Sequence, residues 1–211
     1  MGRTSDARER LIDAAIDLIW PSNYGMVGVD AICERSGVKK GSFYHFFDSK
    51  DDLVIAALEH HWQTRRPIMD AIFSATKTPV ERLRDYFAHT RERQIELKET
   101  RGRVLGCFHN SVGSSCIEQP VEIASKVQEV IANFVRYLAS TIREGQAAGT
   151  IRAGDPELDA ETVFALVQGT LLQARIHDNP ELLLDLPRRG FAVLGIQEPA
   201  AASPGHPLPR A

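Results

Sequence analysis

Apolar residues recur along the chain at intervals of three and four, the spacing that places them on one face of a helix. The first such stripe includes Leu11, Ala15 and Leu18, and the turn formers from Pro21 to Gly25 end it. Two short helical stretches follow, at about 29–36 and 40–46. Runs in which apolar and polar residues alternate, as in a strand, are missing from the sequence. The pattern predicts an all-α fold.

A longer helix is predicted to begin after Asp48 or Ser49, since both residue types are good N-caps. Beyond Pro67 the pattern indicates about five more helices, one of them capped by Thr78 and opened by Pro79. The later helices are predicted at 104–116, 121–148, 158–176 and 182–194. We therefore expect a three-helix head over residues 1–48, a helical body over 49–198 and a disordered, proline-rich tail over 199–211.

Charge is distributed unevenly along the 211 residues, whose formal net charge is -3. Between residues 35 and 50 the basic residues are Arg35, Lys39, Lys40 and Lys50 and the only acid is Asp48, so four minus one gives a local +3. The acidic total argues weakly against nucleic acid. The local excess decides more, because positive charge is needed only where phosphates come close.

Several other classes of protein are disfavoured. Three cysteines without a CxxC pair make a disulfide framework improbable and favour a reducing cytoplasm. The start of the chain lacks a secretory leader, and no apolar run reaches the roughly 20 residues that span a bilayer. His89, His109 and His177 are not spaced as metal ligands. We expect a cytoplasmic protein with no membrane partner, no metal and no cofactor.

The segment 29–47 carries the pattern of a helix-turn-helix. Gly37 supplies the residue that tolerates positive φ at the turn, while Ile32 and Val38 can hold the crossing of the two helices. Phe43 and Phe47 are predicted to be core residues rather than base-stacking ones. The second helix offers outward polar groups from Lys39, Lys40, Ser42, Tyr44 and His45.

This segment resembles the signature of the TetR family of transcriptional repressors over about a quarter of the chain. The resemblance implies a DNA-binding head, a helical body for ligand binding and dimerisation, and a homodimer on a palindromic double-stranded operator. It further implies release by a small-molecule inducer. The matching residues are Gly37, Val38, Lys40, Gly41, Ser42, Tyr44, Phe47, Ser49, Lys50 and Leu53, with Gly25 upstream.

The resemblance also implies residue roles. Lys40 and Ser42 would reach base edges or adjacent phosphates, and Gly41 would let the helix backbone approach the duplex. Tyr44, His45 and Lys50 would contact phosphates. Thr4, with Arg3, would reach a phosphate or the minor groove, the alternative being a frayed terminus. The chain departs from the family at Gly28, where Thr or Ser usually caps the helix and touches a phosphate.

The last two predicted helices are candidates for the dimer interface. Over 163–172, apolar and small residues cover more than one helix face, and Gly169 would allow a second helix to come close. One face can pack inside the subunit and another against its mate. A fully buried helix in a monomer is the alternative reading.

The segment 103–116 is unusually small and polar, and its Gly106-Cys107 pair resembles a branch of the family that includes electrophile-sensing repressors. Cys107 would be the sensing thiol there, and the nearby helix start and Arg103 would favour its thiolate. An inert Cys107 that lines a ligand pocket is the alternative. A Lys can stand in that branch where this chain has Arg175, which cannot serve as an amine nucleophile at neutral pH. The residues predicted to line the pocket are Cys107, Tyr86, Phe87, His89, Phe108, Phe134, Gln168 and Arg175.

An enzyme is a remote alternative, resting on Cys107 with His109 or His89. Residues two apart on a helix do not face each other, so Cys107 and His109 cannot form a simple dyad. No phosphate loop or nucleophile elbow supports catalysis. We therefore predict a regulator and not an enzyme.

Overall fold

In the computed structural model, residues 3–114 and 120–197 are described, with side chains from Asp6 onward. All regular elements within these ranges are helices, as predicted. Their bounds are α1 Arg3–Ile19, α2 Val29–Ser36, α3 Lys40–Phe46, α4 Lys50–Ile72, α5 Pro79–Arg101, α6 Phe108–Gly113, α7 Val121–Ala147, α8 Pro156–Ile176 and α9 Leu186–Val193, with 3₁₀ turns at Tyr24–Met26 and Pro180–Leu183.

The helix ends follow local sequence signals. The Ser49 hydroxyl accepts the Asp52 N–H at the start of α4, which confirms one of the two predicted caps. Thr78 and Glu81 form a reciprocal capping box at the start of α5, and Pro79 lies in the first turn of that helix. The Asp155 carboxylate caps α8 by accepting from the backbone N–H groups of Glu157 and Leu158. Each cap satisfies backbone donors that a helix start leaves free.

Two apolar cores hold the helices together. The first surrounds the fully buried Phe43 of α3 and Leu53 of α4, and it continues into the body through Phe108 and Ile123. The second lies among α4, α5, α7, α8 and α9. Since the head core runs into α4, the packing itself marks no break at residue 48, and that domain boundary stays a prediction.

Three elements differ from the sequence prediction. Helix α4 runs through Pro67 to Ile72, because Met69 and Ile72 are buried in the second core and hold the last turn in place. The predicted 182–194 helix is divided into the 3₁₀ turn Pro180–Leu183 and α9. The 104–116 segment is helical only over Phe108–Gly113 where it is described. Cys116 and the predicted tail at 199–211 lie outside the described residues.

Within the described ranges, no helix combines the length and apolar content needed to cross a membrane.

Candidate functional site

The turn between α2 and α3 is built as the sequence predicts. Gly37 has a φ of 66°, in the left-handed region that glycine adopts without strain. The Val38 N–H donates to the Cys33 carbonyl, and Arg10 of α1 donates to the carbonyl of Ser36 at 3.0 Å. Phe43 is fully buried, which confirms it as a core residue and fixes the rotation of α3. That rotation decides which side chains α3 presents to solvent.

The outer face of α3 is polar and exposed. Lys39, Lys40, Ser42, Tyr44 and His45 are all exposed there, together with Gly41. Tyr44 keeps 53% of its surface accessible although its ring edge touches Phe43. A phenol so exposed on a helix face is available to an external hydrogen-bond acceptor.

Gly41 lies on this face with open space around it: a Cβ built on it meets none of the described atoms within 4 Å. Internal packing therefore does not require glycine at this position.

Lys40 is paired within the head. Its Nζ lies 2.7 Å from the Asp30 carboxylate at the start of α2, and both side chains are exposed. This hydrogen bond raises the pKa of the Lys40 amine, so the amine is charged at neutral pH. On contact with a phosphate or a base edge, the Lys40 amine would exchange the Asp30 carboxylate for the new acceptor.

Lys50 makes contacts within the protein that the sequence does not predict. Its Nζ donates to the carbonyls of Tyr24 and Val27, at 3.1 and 3.2 Å, and lies 3.9 Å from the centre of the Tyr24 ring. The Tyr24 hydroxyl donates to Asp51. The start of α4 is thereby fastened to the loop before α2. Thr4 lies in α1, and its side chain is outside the described residues.

An inner cavity of about 100 Å³ lies in the body between α4, α5, the start of α6, and α8. Its wall includes six of the eight residues predicted for a pocket, namely Tyr86, His89, Cys107, Phe108, Phe134 and Gln168. An outer cavity of about 270 Å³ shares Gly106, Cys107, Gln168 and Leu171 with it and adds Arg175. We call these two spaces the inner and outer cavities.

Phe87 lies away from both cavities. Its ring packs 5.9 Å from that of Phe191, centre to centre, and covers Gly190, where a Cβ would lie 2.3 Å from a ring atom. The helical position of Phe87 next to Tyr86 turns it towards α9. Phe87 is therefore a core residue that joins α5 to α9.

The inner cavity is also lined by residues that the sequence prediction missed, among them Trp20, His61, Arg65 and Arg93. His61 and Arg65 follow Leu58 at helical intervals, so they continue the buried stripe of α4. The occurrence of two ionisable residues within an apolar stripe is the sequence signal that could have identified His61 and Arg65. Trp20 follows α1 and brings the head directly to the cavity wall.

Burial shifts the basic groups of this cavity. It lowers the pKa of His109 to about 4 and that of Arg65 to about 10. The pKa of His61 is also well below its usual range, chiefly through burial and then through its neighbour His109. Both histidines are therefore neutral at physiological pH, while Arg65 remains charged.

The expected thiolate at Cys107 is wrong. Cys107 is the N-cap residue of α6, but burial raises the pKa of its thiol. Hydrogen bonds from the backbone of Asn110 and His109 and from the Gln168 side chain oppose that rise without overcoming it. Arg103 is exposed and is not among the causes of the shift.

Two family models match the chain. The one described as "Bacterial regulatory proteins, tetR family" matches residues 11–57, and "Tetracyclin repressor-like, C-terminal domain" matches 79–187. The first covers α2 and α3 with their turn. The second covers α5 to α8, which form part of the wall of both cavities, whereas the cavity residues of α4 lie outside it.

Individual relatives agree with these matches. The HTH-type transcriptional repressor DhaR of Mycobacterium sp. (strain GP1) is 30% identical over 87% of this chain and 89% of its own length. Transcriptional regulator AcuR of Cereibacter sphaeroides is 29% identical over 84% of this chain and 80% of its own. The chain in a crystal structure of regulatory protein TetR from Rhodobacter sphaeroides is 28% identical in sequence. The match covers 89% of this chain and 98% of that one, with a TM-score of 0.79. The chain therefore belongs to the TetR family of bacterial regulatory proteins.

Proposed function

We propose that this chain is a repressor that binds a palindromic operator as a homodimer and leaves it when a small molecule binds in the body. The observation that carries the proposal is the outer face of α3, polar, exposed and held in place by Phe43. An α-helix presented in this way fits the major groove of B-DNA. Tyr44 and Ser42 supply hydrogen-bonding groups, and Lys39 and Lys40 supply charge.

One exposed face of α8 supports the dimer. Leu158, Ala165, Gly169, Leu172 and Ile176 are spaced at intervals of seven, four, three and four, and all are exposed. Leu172 and Ile176 keep 54% and 64% of their surface accessible, and a Cβ on Gly169 would meet none of the described atoms within 4 Å. A second copy of the same face would cover these residues and can approach closely at Gly169.

Helix α4 supports the link between ligand and DNA. Its first residue, Lys50, holds the loop before α2, while His61 and Arg65 lie in the cavity wall. These positions are about 17 to 23 Å apart along the helix at 1.5 Å per residue. A ligand that shifts α4 would therefore change the distance between the two heads, which a dimer needs at about 34–36 Å. A tenfold loss of DNA affinity requires only about 1.4 kcal/mol of preference for the shifted state.

The test is DNA binding by the full chain. Fluorescence anisotropy with duplexes from the region upstream of its own gene should show a protein–DNA complex that weakens steeply as salt rises. Tyr44→Phe, which removes only the hydroxyl, should weaken specific and nonspecific binding alike if that hydroxyl contacts a phosphate. Absence of binding to every upstream fragment at low salt would contradict the proposal.

A further inference from the structure

The inner cavity contains polar atoms that the described residues leave unsatisfied. Both ring nitrogens of His61, the Nε of Arg93 and the Oε1 of Gln168 are buried without a hydrogen-bond partner. A buried polar atom without a partner is costly, so such atoms are rare in folded proteins. Two of them, the Arg93 Nε–H and the N–H of the neutral His61 ring, are donors that an acceptor in the cavity would satisfy, whereas Gln168 Oε1 and the other His61 nitrogen are acceptors.

The charges around the cavity are positive. Arg65 and Arg93 both line it, and no Asp or Glu is among its lining residues in the described part of the chain. Arg93 is paired with Glu96 at 2.7 Å, and 59% of the Glu96 side chain is exposed. Arg65 has no hydrogen bond or ion pair with any described residue. The Glu96 carboxylate acts on Arg65 as well as on Arg93, while Glu92 and Glu59 act on His89 and His109 without lining the cavity.

Arg65 is at the centre of this group. After burial, its charge is among the causes that lower the pKa values of His61, His89 and His109, and it also acts on the Cys107 thiol. The Arg65 guanidinium is therefore close to residues from α4, α5 and the start of α6. A partly buried guanidinium without a hydrogen-bonded anion is costly, and an anion in the cavity would offset that cost.

Most of the remaining wall is apolar, although His89, Thr90 and Gln94 also line it. The rings of Trp20 and Phe108 lie 5.1 and 5.0 Å from His61, and that of Phe134 lies 6.3 Å from His109. The volume of about 100 Å³ corresponds to only a few non-hydrogen atoms, given about 30 Å³ for a water molecule in the liquid. Drug-sized ligands occupy roughly 300–1,000 Å³. Apolar walls disfavour inorganic phosphate, whose oxygens all require donors.

We propose that the inner cavity binds a small organic carboxylate, with its carboxylate on Arg65 and its short apolar end against Trp20, Phe108 and Phe134. A guanidinium presents two parallel N–H donors, which match the two oxygens of a carboxylate. This inference rests on the proposed function in one respect, since it names the chemical class of the inducer. The occupant of the site would touch both α4 and Trp20, the residue that directly follows α1 in the head.

The test compares matched probes on the full-length protein. Thermal shift and calorimetry are run with sodium propanoate and sodium benzoate, with propanamide and benzamide as neutral isosteres, and with sodium phosphate. At least one carboxylate should bind tenfold or more tightly than its amide and than phosphate. Equal binding of acid and amide, or tighter binding of phosphate, would overturn the proposal. So would no binding of either acid up to about 10 mM, where a Kd of about 1 mM would be saturated.

Substitutions of Arg65 test whether its charge binds the carboxylate, separately from any effect on folding. Arg65→Gln should weaken carboxylate binding tenfold or more, whereas Arg65→Lys should restore part of it. Arg66→Gln is the matched control, since Arg66 is the exposed neighbour on α4 and lines a different groove. Wild-type affinity in Arg65→Gln would overturn the proposal, and a melting temperature at or above that of the wild type would show that this variant is folded.

DNA binding is measured separately from carboxylate binding. If the chain binds carboxylate through Arg65 but binds no DNA, the proposed function fails and the ligand class stands. If it binds DNA but no carboxylate, the ligand class fails and the repressor stands.

Discussion

The guanidinium of Arg175, on α8, donates a hydrogen bond of 3.1 Å to the backbone carbonyl of Trp20, directly after α1. The same side chain donates to the Leu105 carbonyl at 3.3 Å and to the Ser111 hydroxyl. One residue therefore connects the helix with the proposed dimer face to the head and to residues on either side of Cys107. Cationic side chains commonly satisfy the last carbonyls of a helix in this way.

We expect Arg175→Ala to loosen the head against the body. The Trp20 carbonyl would lose the Arg175 donor, and the Leu105 carbonyl would keep only the Trp20 indole N–H at 3.2 Å, at a cost of about 1–3 kcal/mol of unfolding free energy. DNA affinity should fall as well, because the heads would no longer be held at a fixed spacing. Chemical denaturation and anisotropy check the two effects.

Arg143→Ala is the matched control for Arg175→Ala. Arg143 forms an exposed ion pair with Glu157, and such pairs contribute at most about 1 kcal/mol. If Arg175→Ala is no more destabilised than Arg143→Ala and binds DNA normally, Arg175 does not hold the head to the body.

Gly41→Ala should separate folding from DNA binding. A methyl group meets open space at this exposed helical position, and Ala is favoured over Gly in helices by up to about 1 kcal/mol. The melting temperature should therefore stay the same or rise. DNA affinity should fall, because the added Cβ holds the backbone of α3 away from the duplex. Unchanged affinity in a stable variant would show that α3 does not approach DNA at Gly41.

The head could be predicted from sequence because its signals are local. Gly37 marks the turn, and the bounds predicted for the two helices of the motif match α2 and α3. Ser49 and Thr78 mark the starts of α4 and α5 in the body by equally local signals. Such signals depend on residues within a few positions of one another. They are therefore visible without knowledge of the tertiary packing.

The cavity could be predicted only in part, because its properties arise between distant helices. Tyr86 and Phe134 were found from their inward helical positions, but the importance of Arg65 depends on Arg93 and Cys107, which come from other segments. The thiolate predicted at Cys107 is wrong for the same reason. The helix N-terminus beside Cys107 is a local feature of the sequence, whereas the burial that raises the pKa of the thiol depends on distant helices. Pro67 marked a false helix end because distant contacts hold the last turn of α4.

Leu172→Glu tests the dimer face. In a two-fold dimer built on α8, two carboxylates would be buried near each other without partners, a strongly unfavourable arrangement. The variant should be monomeric in sedimentation at concentrations where the wild type is dimeric, and it should bind an operator poorly. Met26→Glu adds the same charge at a residue that is 78% exposed in the head, and it should stay dimeric. A dimeric Leu172→Glu would exclude this face.

The reactivity of Cys107 distinguishes a sensing thiol from an inert one. Because burial raises its pKa, the thiolate fraction at neutral pH should be below that of an ordinary cysteine. Iodoacetamide should therefore modify Cys107 more slowly than glutathione at pH 7, and the rate should increase with pH. Peptide mass spectrometry assigns the modification to Cys107. Faster modification than glutathione, with DNA release lost in Cys107→Ser, would instead support the electrophile-sensing alternative.

Finally, His109 should make stability depend on pH. Burial lowers its pKa from 6.5 to about 4, so between these values the unfolded chain binds a proton that the folded chain does not. Stability must then fall as pH falls, by about 2 kcal/mol from His109 between pH 6.5 and 5, since one pKa unit is worth 1.36 kcal/mol. His61 acts in the same direction. Urea denaturation of the wild type and of His109→Gln at the two pH values measures the difference, with the exposed His177→Gln as the control for losing a histidine. The pH dependence should be shallower in His109→Gln alone, and equal dependence in all three proteins would contradict a buried, neutral His109.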